Sequence, residues 1–175
     1  MANDRHMARS PSDWSDRNED RDRFGFDKTE NELTDLLGRF VPQFVAQRVI
    51  TVSVSVPDRE FAVGDPVPFT VEIKNRLPVP VTVRTPTRRL WGWEVDGDLG
   101  ASDEPTYAGD TPSQFALEGG DHLVIEREWS GRFKRTGRDG ERTEYVLPER
   151  GVHEIAAFVA TKDPQPRGSV EIELR

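Results

Sequence analysis

Three histidines, His6, His122 and His153, and an acidic stretch holding Asp96, Asp98, Asp103, Glu104 and Asp110 could supply the groups for a metal or acid–base centre. A zinc centre needs several ligands gathered at characteristic spacing. Neither His122 nor His153 has a Cys, His or Asp at metal-ligand spacing beside it. The five carboxylates lack the odd-position rhythm of a calcium-binding loop and read as a solvated acidic loop. There is no Gly-x-Ser-x-Gly elbow, and each serine stands alone, so nucleophilic hydrolysis has no visible machinery. Gly119-Gly120-Asp121 is followed by no helix and reads as a hairpin turn, not a phosphate cradle. Cysteine is absent, which removes disulfides, thiolate metal sites and a cysteine nucleophile. The expectation is a protein that is not an enzyme, with no cofactor and no metal.

Composition narrows the class of partner. The 175 residues carry 32 acidic and 24 basic side chains, for a formal charge of −8. Phosphate-backbone binding needs a dense basic footprint, so nucleic acid is not the expected partner. The local basic runs, Arg84, Arg88 and Arg89, then Arg132, Lys134, Arg135 and Arg138, are short and read as solvated faces. The only lysines are Lys28, Lys74, Lys134 and Lys162. An acidic, lysine-poor, arginine-rich surface suits a high-salt cytoplasm; a GC-rich genome would give the same bias. The N-terminus, MANDRHMARS, has no apolar signal region, and no stretch approaches the ~20 residues needed to cross a bilayer. A soluble, cytoplasmic protein is expected, with Met1 and Met7 both available as the start.

The elements that must position any site fall into three segments. Residues 1–23 mix charged and small polar side chains around Trp14 and cannot bury enough surface to order, so they read as a disordered tail. Residues 24–47 contain an amphipathic helical stretch. Asp27 or Thr29 can cap it, with Glu30 or Glu32 completing a capping box. Leu33, Leu36, Leu37 and Phe40 recur at helical spacing. Pro42 is expected to end or kink the helix near Phe40, with Phe44 and Val45 continuing its apolar surface. Such a helix is marginal alone in water. It packs either on its own domain or on a partner.

From Arg48 the period changes from 3.6 to 2. Val49–Val56 alternates cleanly, followed by strands at Phe69–Asn75, Val79–Arg84, Leu90–Val95, Gln114–Leu117, His122–Phe133, Gly151–Thr161 and Ser169–Leu174, with Thr143–Leu147 only pairing briefly before Pro148. Turn residues separate them, and almost no helix intervenes. The pattern predicts an all-β fold for 48–175: an antiparallel immunoglobulin-like (Ig-like) β-sandwich of seven or eight strands, preceded by the short amphipathic helix and the disordered tail.

The string VGDPVPFTVEIKNRLPVPVTV resembles the opening of many immunoglobulin-like modules, and RRLWGWEVDGD, FALEGGDHLVIEREW and ERGVHEIAAFVA, in this order, resemble the intracellular proteinase inhibitor (BsuPI-type) domain. The matching positions are Trp91 and Trp93 with Asp96-Gly97, Leu117 with Gly119-Gly120, Trp129, and Gly151 with Ile155. The chain departs from that pattern in the acidic loop Asp98–Asp110, at Gly119 where proline is common, and at Val152-His153 where an aromatic is usual. The resemblance implies an Ig-like sandwich that in some members binds intracellular proteases; it assigns no inhibitory residue here.

The expected function is a non-catalytic protein-interaction or scaffold module. Its alternatives are a cytoplasmic protease inhibitor or regulator and a self-assembling structural subunit. The partner would be another protein or a second copy, with no membrane and no nucleic acid. The loops 96–112 and 134–147, or an open strand edge, would present the contact surface. Leu36, Leu37 and Phe40 form a second docking element. Tryptophans in a sandwich are usually core. If Trp91 or Trp93 is exposed beside Arg88 and Arg89, it becomes a contact anchor.

Overall fold

The computed structural model describes residues 41–101, 109–136 and 143–175. A short helix, α1 (Gln43–Val49), opens this part of the chain. Pro42 starts this helix, and the helix expected over Leu33–Phe40 lies outside the described residues. The Pro42 φ of −58° suits the entry to a helix, and its carbonyl accepts the amides of Val45 and Ala46 at 2.9 Å. Arg48 lies in the last turn, where a cation opposes the negative end of the helix dipole. Ala46 is buried in the core.

Strand β1 (Ile50–Ser55) pairs antiparallel with the long β3 (Val67–Asn75), and β3 pairs antiparallel with β7 (His122–Trp129). On β3 the side chains of Val67, Phe69, Val71, Ile73 and Asn75 are all buried while the residues between them are not, which is the period of 2 read from the sequence. The second sheet runs in the order β2 (Glu60–Phe61), β11 (Arg167–Leu174), β10 (Gly151–Val159) and β5 (Trp91–Val95). It is antiparallel except where β2 joins β11 in parallel. Two ribbons complete the fold: β4 (Val81–Thr85) with β6 (Ser113–Leu117), and β8 (Phe133–Thr136) with β9 (Thr143–Val146).

The chain is therefore an all-β, Ig-like sandwich, with more strands than the sequence resolved. The short strand Glu60–Phe61 is not among those expected from the sequence, and His122–Phe133 is not one strand. The chain breaks at Ser130–Arg132 because Gly131 takes φ +70° with its α-carbon against the Asp65 carbonyl, a place where a Cβ cannot fit.

The facing sheets enclose one core. Phe69 of β3 meets Trp93 of β5 edge-on, with ring centroids 4.9 Å apart. Trp91 and Trp129 have no exposed surface. Strand β5 is buried at every position, and the buried outward face of β10 adds Ala156 and Phe158. Gly92 makes room there, since a Cβ would stand 3.0 Å from Phe158 Cζ.

Candidate interaction surface

The residues with chemical potential are dispersed by the fold. His122 is exposed at the start of β7. His153 is buried on β10, 9 % exposed. Its Nδ1 lies 2.6 Å from Asp96 Oδ2 and its Nε2 lies 2.8 Å from the Glu149 carbonyl oxygen. Asp98 instead pairs with Arg135 at 2.8 Å. Arg135, from the second basic run, is thus tied to the acidic loop. His6, Asp103 and Glu104 lie outside the described residues, as does Arg138. Among the described residues, no group of three or more His, Asp or Glu is placed to hold a metal ion.

Arg167 on β11 reaches across the outer face of its sheet to Glu94 of β5 and Glu154 of β10. Burial alone would lower its pKa, but hydrogen bonds to the two carboxylates and their charges outweigh this, and the guanidinium is held above its ordinary value. The side chain spans the strands beside Ala156 and Phe158, which helps explain why these outward-facing apolar residues are buried.

Of the contact residues expected from sequence, Leu36, Leu37 and Phe40 lie outside the described residues. Arg88 is exposed and Arg89 half-buried just before β5. Trp91 is not a surface anchor, because it is wholly buried on β5. Arg127 lies over its ring, 5.2 Å from the ring centroid. All three sandwich tryptophans are core, because the alternation that places Trp91 and Trp93 on one side of the strand turns that side toward the opposite sheet.

The open edge of β7 is also modified. The Asn75 amide bonds the Asp121 carbonyl, so in the β3–β7 register the odd-numbered residues bond inward. The even-numbered ones then direct amide and carbonyl to the free edge. Arg127 Nη1 donates to the outward Glu126 carbonyl at 2.9 Å. Charged Glu126 and Glu128 flank it, features that discourage strand addition.

What the fold does present is apolar surface on the β8–β9 ribbon. Tyr145, Val146 and Leu147 are consecutive and respectively 55 %, 46 % and 51 % exposed. Soluble domains rarely leave three large apolar neighbours uncovered without a partner for them. Strand β9 and Leu147 lie within the 134–147 segment expected to present a contact surface, where the sequence predicts only a brief strand. The available signal was the unbroken apolar run, which in a half-buried strand would alternate. Phe44 of α1 (62 % exposed) has no exposed large apolar neighbour in sequence among the described residues.

Comparison with known proteins supplies a family and no function. A search of curated proteins finds no match. Among solved structures, the CARDB domain of a Pyrococcus furiosus protein is 15 % identical, with a TM-score of 0.41 over 72 % of this chain and 94 % of that one. A Listeria innocua β-glucosidase is 16 % identical, with a TM-score of 0.43 over 72 % of this chain and only 16 % of the enzyme. The alkylpurine DNA glycosylase AlkC of Pseudomonas fluorescens, bound to DNA containing an abasic site analog, is 18 % identical, with a TM-score of 0.41 over 73 % of this chain and 30 % of that protein. No helix among the described residues is long and apolar enough to cross a membrane. Residues 38–175 match a family of unknown function (DUF7974), and the chain belongs to that family.

Proposed function

We propose that this protein is a non-catalytic interaction module of the cytoplasm that engages another protein through the β8–β9 ribbon. The observation that carries the reading is the uncovered run Tyr145, Val146 and Leu147. Tyrosine joins a broad apolar ring to a polar tip and is favoured at the centre of protein contacts. Leu147 Cδ2 lies so close to Gly64 that a Cβ there would stand 2.9 Å from it, so the run is held to the sandwich at one end. The ribbon can present its surface without disturbing the core.

The test is a paired charge substitution, Tyr145→Lys with Val146→Lys, in the full chain. Co-purification from native lysate at high salt is compared with the wild type, with thermal unfolding as the control on folding. Loss of specific co-purifying protein with an unchanged unfolding midpoint supports the reading. Equal recovery of the same proteins by the variant overturns it. Inhibition of an endogenous protease by the wild type, but not by the variant, would specify the partner as a protease.

A further inference from the structure

His153 is a buried titratable group, and both of its ring nitrogens face atoms that only accept. Asp96 Oδ2 stands 2.6 Å from Nδ1, and the Glu149 carbonyl oxygen stands 2.8 Å from Nε2. A neutral imidazole carries one N–H and can donate to only one of them. Both bonds form together only when both nitrogens carry a proton. The carboxylate is well placed to balance that charge, and its other oxygen, Oδ1, accepts the Glu154 amide at 2.9 Å. Asp96 itself sits at φ 51°, and its amide donates to the Glu154 carbonyl at 2.9 Å.

We infer that His153 is a proton-dependent clasp, fastening the segment between β9 and β10 to the turn after β5 while its ring is doubly protonated and loosening it on deprotonation. The segment in question, Leu147–Arg150, is the exit from the exposed ribbon, and the Glu149 carbonyl is its described tie to His153. The groups around the ring leave Asp96 as the charge in direct contact. Trp129 of β7 lies 6.5 Å away ring to ring, and Ile172 is the register partner on β11. Neither carries charge. The side chains of Glu149 and Arg150 are exposed on the segment itself. The Glu154 carboxylate is engaged by Arg167. The proposal does not depend on whether the ribbon binds a partner.

The sign follows from the bonds. Protonation adds a native contact that the unfolded chain lacks, so the doubly bonded ring favours the folded state at low pH and the advantage fades as pH rises. Stability is measured by denaturant unfolding from about pH 5.5 to about pH 8.5. Over that window the wild type should lose stability relative to His153→Gln. Asp96→Asn provides the second arm. The asparagine amide donates to Nδ1, its oxygen still accepts the Glu154 amide, and asparagine tolerates a left-handed backbone. A neutral ring then keeps both bonds, so this variant should stay folded and lose the pH dependence. In the wild type, nitrogen-15 spectra at low pH should show protons on both nitrogens of His153. Parallel pH profiles for wild type and Asp96→Asn, or a ring with a single N–H at low pH, overturn the proposal.

Discussion

The Arg127 guanidinium lies 5.2 Å from the centre of the Trp91 ring and at the same time closes the Glu126 carbonyl on the open edge of β7. One side chain on the rim of the sandwich thus roofs a core tryptophan and blocks a hydrogen-bonding position that a passing strand would use. Arginine can do both because its stem is apolar and its fork is flat.

Replacing Arg127 with alanine should therefore have two separable effects. The lost cation–π contact costs about 0.5–1 kcal/mol of stability. The uncapped edge should favour concentration-dependent association, read by light scattering of the folded protein. A variant that is less stable but equally monodisperse would limit Arg127 to its contact with Trp91.

Asn75 fastens one end of the sandwich. Its Nδ2 donates to the carbonyls of Val79, Leu117 and Glu118 at 2.8, 3.2 and 2.9 Å, and its Oδ1 accepts the Leu77 amide at 3.0 Å. Asn75→Ala leaves these groups without that partner and should destabilise by about 3 kcal/mol in urea unfolding. Asn75→Asp should be worse, because it sets a carboxylate against carbonyl oxygens.

Gly168 and Gly97 require glycine for different reasons, and alanine separates them. At Gly97 only the backbone resists, with φ +77° and open space around a Cβ. Gly97→Ala should cost about 1 kcal/mol. At Gly168 a Cβ would collide with the Val52 carbonyl of β1. Gly168→Ala must push β11 from β1 and should cost about 3 kcal/mol. Equal unfolding midpoints for the two variants would contradict that close approach.

Arg167 should contribute without regard to pH over the working range. Its pKa is raised by Glu94 and Glu154 against the opposing effect of burial, so its stabilising charge is present below the ordinary arginine value and is lost only in stronger alkali. Its side chain is 41 % exposed, so solvent screening holds the cost of Arg167→Met to about 1 kcal/mol. That difference should be the same at neutral and mildly alkaline pH. A change between the two would implicate another titrating group.

By itself the sequence determined the class of fold, because alternation such as that of Val67 to Asn75 permits one buried face and so demands a second layer against it. It also marked the turns, where Asp96-Gly97 and Gly119-Gly120 supply conformations other residues resist. Tertiary structure decided which side of a strand meets the opposite sheet, and hence that Trp91 is core and Tyr145 is surface. It decided the partners of charges as well: Asp96 with His153 and Arg167 with Glu94 lie 57 and 73 residues apart along the chain. Pairings over such separations are set by sheet register, which depends on the packing of the whole domain and leaves no local trace in the residues themselves.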